Sequence, residues 1–236
     1  MEKTLSISMK LLTLPYASSV ADYVASAVMG AVQSKGDVSI VLAGGATFIP
    51  IYQLLAERSG EVSDWTTVEL FFGDERAVSP TDDRSNYKMI YDNWLHIFDT
   101  KEGPIIRRLK GEEDLVKEAV AYSHLLPNYF DLVLLGIGPD GHTASLYPGS
   151  MKEIQPQQEV VITEPELAPF VTRLSLTPSV FNRAEKTIIV STGSHKAEIV
   201  AALMADTTKK YPASTIKPLV GEALLIIDQA AATKLA

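Results

Sequence analysis

One apolar segment followed by a cluster of glycines constrains the fold more than any other feature of this sequence. Residues 132–135 form an uninterrupted apolar run, which is typical of a strand buried on both faces. Three glycines follow at positions 136, 138 and 141, and Asp140 and His142 stand between and after them. An open α/β sheet presents chemical groups in this way, at the carboxyl ends of its strands. The sequence therefore predicts a sheet with a functional site at that edge.

Apolar runs and helical patterns alternate along the rest of the chain. This alternation predicts an α/β protein with a Rossmann-like, mainly parallel sheet and helices on both faces. Further strands are predicted at 4–9, Val38–Leu42, Val68–Phe72, 170–174, 187–190 and 224–228. Helices are predicted from a cap at Ser18 and Ser19 to Gly36, after residues 43–47, around 89–97, at 112–125, from His195 and at the alanine-rich C-terminal end. We expect one domain over residues 1–236, with an irregular segment at 150–169.

The charge balance and the lack of cysteine limit the functions open to this chain. The 21 lysines and arginines are outnumbered by 29 aspartates and glutamates, which gives a formal charge of −8. Such a surface repels nucleic acid and anionic membranes, so any basic residues that bind an anion should be few and local. The absence of cysteine excludes disulfides, thiol nucleophiles and cysteine-bound metals. No apolar run approaches the roughly 20 residues of a membrane span, and we expect a cytoplasmic protein.

A second glycine-rich turn follows the strand predicted at Val38–Leu42. Gly44, Gly45 and Thr47 stand where this strand meets the next helix, and backbone N–H groups at a helix N-terminus suit a phosphate. A pair of glycines is a weak signal by itself, because most such pairs are simply turns. The segment has neither the Lys-Ser/Thr ending of a Walker motif nor the three glycines of a dinucleotide-binding fingerprint. Nucleotide binding is therefore disfavoured.

Charged residues follow or interrupt three other predicted elements. Asp74 and Arg76 come directly after the strand at Val68–Phe72, in the same position as the glycine-rich turns. A solvated loop is the usual explanation for such charges, but their place at a strand end favours a function. Arg173 lies within an apolar strand, so it needs a carboxylate or a bound anion as its partner. Lys196 stands in the first turn of a helix, where it either meets an anion that the backbone dipoles favour or is an ordinary surface lysine.

His142 is the candidate for proton transfer, because imidazole titrates near neutral pH. The alternative is a tight turn whose histidine merely satisfies backbone groups, but that leaves Asp140 and His142 at a strand end without a purpose. We expect His96 in the core or at its edge, His124 at a helix end, and His195 either as a helix cap or in the lining of the pocket. No pair of histidines has the spacing of metal ligands, so no metal is predicted.

Five motifs together resemble the 6-phosphogluconolactonase family, to which glucosamine-6-phosphate deaminase is related. They are Leu-Ala-Gly-Gly at 42–45, Gly-Asp-Glu-Arg at 73–76 with Ser-Asn-Tyr at 85–87, the segment 135–149, Arg-Leu-Ser-Leu-Thr-Pro at 173–178 and Gly-Ser-His-Lys-Ala at 193–197. The resemblance runs in order from about residue 13 to residue 225. The Asp-Gly-His-Thr-Ala-Ser-Leu block at 140–146 is its most specific part.

The resemblance implies hydrolysis of 6-phosphogluconolactone to 6-phosphogluconate in the oxidative pentose phosphate pathway, without a metal or an organic cofactor. The residues that it implies are His142 and Arg76 for the catalytic pocket and Arg173, Lys196 and the turn at Gly45 for the phosphate. The chemistry of the residues themselves adds Asp140 and Asp74 for catalysis and Gly44 and Thr47 for the phosphate. His142 is then the general base that activates water, while Asp140 and Asp74 either orient it or bind sugar hydroxyls. The implied partner is the phosphorylated sugar lactone alone, and the expected state is a monomer or a weak homo-oligomer.

Two positions depart from the family pattern. Ala46 stands where relatives commonly have a serine, so one hydroxyl contact to phosphate is either missing or supplied by Thr47. Tyr147 replaces a more usual phenylalanine, a change that should be harmless.

Two alternative functions differ from lactone hydrolysis. Glucosamine-6-phosphate deaminases have a glutamate where Tyr147 stands and a tyrosine where Arg76 stands. Ring opening in those enzymes depends on that glutamate, so its absence disfavours a deaminase. The other alternative is a non-catalytic sugar-phosphate-binding protein. The presence of Asp140 and His142 argues against it, because a binding protein needs no proton shuttle.

Overall fold

The structure, a computed structural model, describes residues 9–165, 169–205 and 210–235. Strands and helices alternate along these residues. The strands are β1 Lys10–Leu14, β2 Val38–Leu42, β3 Val68–Phe72, β4 Asp74–Arg76, β5 Ile105–Arg107, β6 Phe130–Gly136, β7 Val160–Thr163, β8 Arg173–Leu176, β9 Ala184–Ser191 and β10 Glu222–Asp228. The α-helices are α1 Ala17–Ser34, α2 Ile49–Glu57, α3 Asn86–Asn93, α4 Leu115–Ser123, α5 Pro178–Phe181 and α6 Ala197–Met204.

Seven strands form one sheet in the order β1-β10-β9-β6-β2-β3-β5, and every neighbouring pair is parallel. β6 lies in the middle, with residues 132–135 no more than 1% exposed, because a central parallel strand is covered on both faces. The predicted α/β fold with a mainly parallel sheet is thereby confirmed. None of the helices in the described ranges is long and apolar enough to cross a membrane.

A second sheet of three antiparallel strands, in the order β4-β8-β7, was not predicted. β4 has only three residues, all charged, and it follows β3 after the single residue Gly73. β7 lies in the segment predicted to be irregular, and the strand predicted at 170–174 is instead β8, Arg173–Leu176. Short strands of this kind form only when they pair with residues far away in the chain, and no local sequence pattern indicates that pairing.

Several predicted element ends are wrong. Helix α1 begins at Ala17 with Tyr16 at its N-cap position, so Ser18 and Ser19 do not cap it, and it ends at Ser34, before Gly36. Residues 229–234 form turns where an alanine-rich helix was predicted. The strand predicted at 4–9 lies outside the described residues except for Met9, and the first described strand is β1. The short edge strand β5 was missed.

The histidines outside the glycine-rich segment lie as follows. His96 is exposed, so it is not in the core, and its Nδ1 atom is 3.0 Å from the carbonyl oxygen of Tyr91. His124 is the C-cap residue of α4, as predicted. His195 lies in the 3-10 turn Ser194–Lys196, and neither that turn nor α6 has a side-chain cap. His195 instead lines the cleft described below.

Candidate active site

A cleft of about 280 Å³ opens at the carboxyl ends of the central parallel strands. The second sheet closes one side of it, because β4 and β8 contribute side chains to the lining. Eight of the nine residues predicted for the site line this cleft, and the ninth, Asp140, contacts one of them. The eight are Gly44, Gly45, Thr47, Asp74, Arg76, His142, Arg173 and Lys196.

His142 and Asp140 form a directly hydrogen-bonded pair. The Nδ1 atom of His142 lies 2.5 Å from Oδ1 of Asp140, and the His142 backbone N–H donates to the same oxygen at 3.1 Å. Burial acts to raise the pKa of the Asp140 carboxyl, but the hydrogen bond and charge of His142 outweigh it and hold that pKa below its usual value. With Nδ1 donating to a carboxylate, Nε2 of the neutral ring is the nitrogen that can accept a proton.

The backbone around His142 is shaped to hold its ring in place. A Cβ atom on Gly138 would lie 2.0 Å from the Cε1 atom of His142, so only glycine leaves room for the imidazole there. The Tyr147 ring also packs against the His142 ring, with ring centroids 5.1 Å apart. Ala144, which also lines the cleft, has a φ of +49°. A left-handed conformation of this kind is uncommon for alanine and is found more often at functional sites.

Two arginines face the cleft from the second sheet. Arg76 on β4 and Arg173 on β8 are direct partners in the antiparallel ladder. One guanidinium nitrogen of Arg76 donates to the carbonyl oxygen of Arg84 at 2.5 Å, and one of Arg173 donates to that of Pro169 at 3.1 Å. Their buried Nε atoms have no hydrogen-bond partner within the described residues. Burial, and then the charge of Arg76, lower the pKa of Arg173, so this pair favours a bound anion.

Two similar turns flank the His142 segment. Gly45 has φ +97° and ψ 157° at the end of β2, and Gly193 has φ +92° and ψ 151° at the end of β9. Each glycine leads through a three-residue 3-10 turn into an α-helix, α2 or α6. β2 and β9 are the two neighbours of β6, so the turns lie on either side of His142. Backbone N–H groups in such turns bind anions.

Lys196 ends the second of these turns. Its Nζ atom donates to the carbonyl oxygen of Ile137 at 2.7 Å, which directs the ammonium group toward the His142 segment. Burial lowers the pKa of Lys196, while the negative charge of Asp140 acts in the opposite direction. The side chain is therefore not an ordinary surface lysine.

Asp74 is held by two buried residues, Asn86 and Ser145, that were not among those predicted for the site. Asn86 Nδ2 donates to Asp74 Oδ1 at 3.0 Å, and Ser145 Oγ donates to Asp74 Oδ2 at 2.6 Å. Asn86 also lines the cleft. Its sequence signal was its place in the Ser-Asn-Tyr motif at 85–87, in which Ser85 is the N-cap residue of α3. Among the residues that the structure describes, no cluster of three or more His, Asp or Glu could hold a metal ion.

The fold and the cleft define an α/β protein that presents a histidine–carboxylate pair and several cations at the carboxyl edge of a parallel sheet. The family described as glucosamine-6-phosphate isomerases/6-phosphogluconolactonase matches residues 15–225. The chain belongs to this family.

Individual relatives agree with this assignment. The 6-phosphogluconolactonase of Mycobacterium leprae is 32% identical over 225 residues, which cover 89% of this chain and 90% of the relative. The solved structure of 6-phosphogluconolactonase from Trypanosoma brucei has a TM-score of 0.83 and 25% identity, covering 98% of this chain and 100% of that one. A monomeric glucosamine-6-phosphate deaminase has a TM-score of 0.85 at 21% identity, covering 96% of this chain and 100% of that one. The expected likeness to the deaminase fold is thereby confirmed.

Proposed function

We propose that this protein hydrolyses 6-phosphogluconolactone to 6-phosphogluconate, with His142 as the general base. The observation that carries the proposal is the His142–Asp140 pair, 2.5 Å apart, in a cleft that also contains Arg76, Arg173 and Lys196. A lactone carbonyl needs a base to activate water, and a phosphorylated sugar needs fixed cations. The names of the relatives support the same substrate.

In the proposed reaction, Nε2 of His142 takes a proton from water as the water oxygen bonds to the lactone carbonyl carbon. The carbonyl oxygen becomes an oxyanion, and Arg76 and backbone N–H groups of the cleft stabilise it. When the tetrahedral intermediate collapses, the bond from the carbonyl carbon to the ring oxygen breaks, and His142 returns its proton to that oxygen. Asp140 fixes the ring orientation and stabilises the imidazolium. General acid–base assistance of this kind contributes about 10²- to 10⁴-fold.

The phosphate is proposed to bind to Arg173 and Lys196 and to the turn at Gly44, Gly45 and Thr47, all of which line the cleft. Arg173 is only 5% exposed and Lys196 is half-buried, so both cations are partly stripped of water before a ligand arrives. Charge-assisted hydrogen bonds from such groups are stronger than those from solvated side chains. This arrangement suits a phosphate dianion on a small sugar.

Tyr147 bears on the deaminase alternative. Its side chain is 1% exposed and packs against His142, at the position where deaminases have a glutamate. Burial raises the pKa of the Tyr147 hydroxyl, so this residue is neutral and cannot act as a second carboxylate beside His142. We therefore propose lactone hydrolysis in preference to deamination.

The test generates the phosphorylated lactone in situ and follows proton release with and without the protein, because this lactone also opens spontaneously. We expect a rate well above the blank that His142→Ala reduces to near the blank. A rate equal to the blank from the unaltered protein would reject the proposal. Ammonia release from glucosamine 6-phosphate would instead establish the deaminase alternative, and phosphosugar binding without either activity would establish a binding protein.

A further inference from the structure

Glu75 is a buried carboxylate that the proposed mechanism does not use. It lies between Asp74 and Arg76 on β4, where alternate side chains point to opposite faces of the sheet. Asp74 and Arg76 line the cleft, while Glu75 is 2% exposed and points away from it. A buried carboxylate is costly unless hydrogen bonds satisfy it, so its partners define its role.

Within the described residues, four groups donate to Glu75, and all of them belong to the cleft wall or to the start of α3. Oε1 accepts the backbone N–H groups of Arg76 and Asn86, both at 2.7 Å. Oε2 accepts the backbone N–H of Tyr87 at 2.7 Å and the hydroxyl of Ser85 at 3.0 Å. One carboxylate therefore ties the backbone of a cleft arginine to the first turn of a helix ten residues further along the chain.

Asn86 extends this connection to other walls of the cleft. Its amide nitrogen donates to the backbone oxygen and to Oδ1 of Asp74, both at 3.0 Å. Its side chain also packs against Gly44, where an added Cβ would lie 2.1 Å from Asn86 Oδ1. Asp74 in turn accepts the hydroxyl of Ser145, three residues after His142.

We infer that Glu75 is a positioning residue that sets the geometry of Arg76 directly and that of Asp74 and the His142 segment through Asn86. Each carboxylate oxygen accepts two hydrogen bonds. The substitution Glu75→Gln would replace one of these two acceptor oxygens with an amide group that donates. That donor would face the fixed N–H group of Tyr87 or those of Arg76 and Asn86, whichever way the amide is oriented. The first turn of α3 would shift, and Asn86 would move with it.

The inference rests on the proposed function for its kinetic test. Glu75→Gln should lower kcat/KM for the phosphorylated lactone by about 10- to 100-fold, since small displacements of catalytic groups have effects of this size. The matched control is Asp131→Asn. This partly buried carboxylate also accepts a backbone N–H and a hydroxyl, from Ser39, but at the opposite end of the sheet. Asp131→Asn should leave kcat/KM within about twofold.

A double-mutant cycle separates positioning from general destabilisation. If Glu75 acts through Arg76, the variant with both Glu75→Gln and Arg76→Ala should lose clearly less activity than the product of the two single losses. Losses that multiply, measured well below the melting temperature, would overturn the inference. Ser85→Ala removes one donor to the carboxylate and should give the same pattern with a smaller loss, which keeps the test available if Glu75→Gln folds poorly.

Amide hydrogen exchange tests the connection without any substrate. Glu75→Gln should accelerate exchange at Asn86 and Tyr87, whose backbone N–H groups donate to the carboxylate. It should also accelerate exchange at Ser145, whose hydroxyl is linked to Glu75 through Asp74 and Asn86 and whose backbone N–H donates to Ser175 Oγ at 3.2 Å. Unchanged exchange at Ser145 would overturn the inference even if the lactone proved not to be the substrate. A failure of the unaltered protein to hydrolyse the lactone would reject the proposed function alone.

Discussion

Arg76 and Arg173 stand directly opposite each other on the antiparallel strands β4 and β8. Like charges in this relationship destabilise a sheet, and Arg173 is almost fully buried as well. The lowered pKa of Arg173 reflects burial first and the neighbouring Arg76 charge second. The two guanidinium groups therefore repel each other, and an anion bound between them would relieve this repulsion.

Arg173→Met should have opposite effects on the thermal stability of the free protein and on its stabilisation by a bound anion. Removing one charge and keeping a long side chain should leave the melting temperature of the free protein unchanged or raise it, because the repulsion disappears. The stabilisation given by 6-phosphogluconate should largely vanish; at a hundredfold excess over Kd it is about 2.7 kcal/mol in a protein that binds. Thermal unfolding with and without ligand measures both effects. Arg107→Met, which removes an arginine paired with Glu69 outside the cleft, should keep the ligand response.

Lys196→Met tests how the cleft recognises phosphate. We expect KM for the phosphorylated lactone to rise about 10- to 150-fold, corresponding to roughly 1.5–3 kcal/mol for a charge-assisted hydrogen bond. KM for unphosphorylated gluconolactone should barely change. Lys234→Met is the control, because this lysine contacts Glu198 on α6 but does not line the cleft. Equal losses on both lactones would show that Lys196 does not bind the phosphate.

His142→Ala should lower kcat by about 10²- to 10⁴-fold with little effect on substrate binding, since a general base acts in the transition state. Asp140→Asn should lower kcat by a smaller factor, because the amide can still accept from Nδ1 but no longer stabilises the imidazolium. Steady-state kinetics against the spontaneous rate measure both. His96→Asn changes an exposed histidine outside the cleft and should have no effect. Near-normal kcat in His142→Ala would exclude the base role.

Binding of 6-phosphogluconate should weaken at alkaline pH earlier than an ordinary lysine would allow. Burial lowers the pKa of Lys196 from its usual 10.5, so the ammonium loses its proton as pH rises through that lower value. The anion prefers the charged form, so affinity is full below the lowered pKa and decreases above it. Calorimetric titrations from neutral to alkaline pH measure the profile. Lys196→Arg should remove this alkaline decrease, and an unchanged profile would contradict the assignment.

Lactone hydrolysis should persist after exhaustive chelation. The sequence has no cysteine, and the part of the chain that the structure describes contains no cluster of three or more His, Asp or Glu that could hold a metal ion. Proton release measured after dialysis against a strong chelator should match that of the untreated protein. Loss of activity that a single divalent ion restores would refute the metal-free reaction.

The strands that are buried on both faces could be predicted from the sequence. The apolar runs of β2, β3 and β6 are recognisable because a central parallel strand needs apolar residues at successive positions. The glycine-rich endings of β2 and β6 were recognisable for a similar reason, since backbone that turns sharply beside a ligand excludes most side chains. Eight predicted site residues consequently line one cleft.

Contacts between distant residues had no local signal. Ser145 and Asn86 belong to motifs that the sequence shows, but no local pattern indicates that they hold Asp74 from segments 71 and 12 residues away. The three-residue strand β4 forms because β8 pairs with it. Without that pairing, its three charged residues are typical of a loop. The same pairing directs the Glu75 side chain away from the cleft that Asp74 and Arg76 line. Its carboxylate accepts hydrogen bonds from the first turn of α3.

By itself, then, the sequence determined the parallel sheet and the chemical groups at its carboxyl edge, because burial and turn geometry restrict residue types over a few consecutive positions. Only the tertiary structure decided that Arg76 opposes Arg173, that Tyr147 packs on His142 and that Glu75 lies behind the cleft. These relationships depend on strand pairing and side-chain packing between segments far apart in the chain. Pairing and packing follow from the free energy of the whole fold, which no short window of sequence contains.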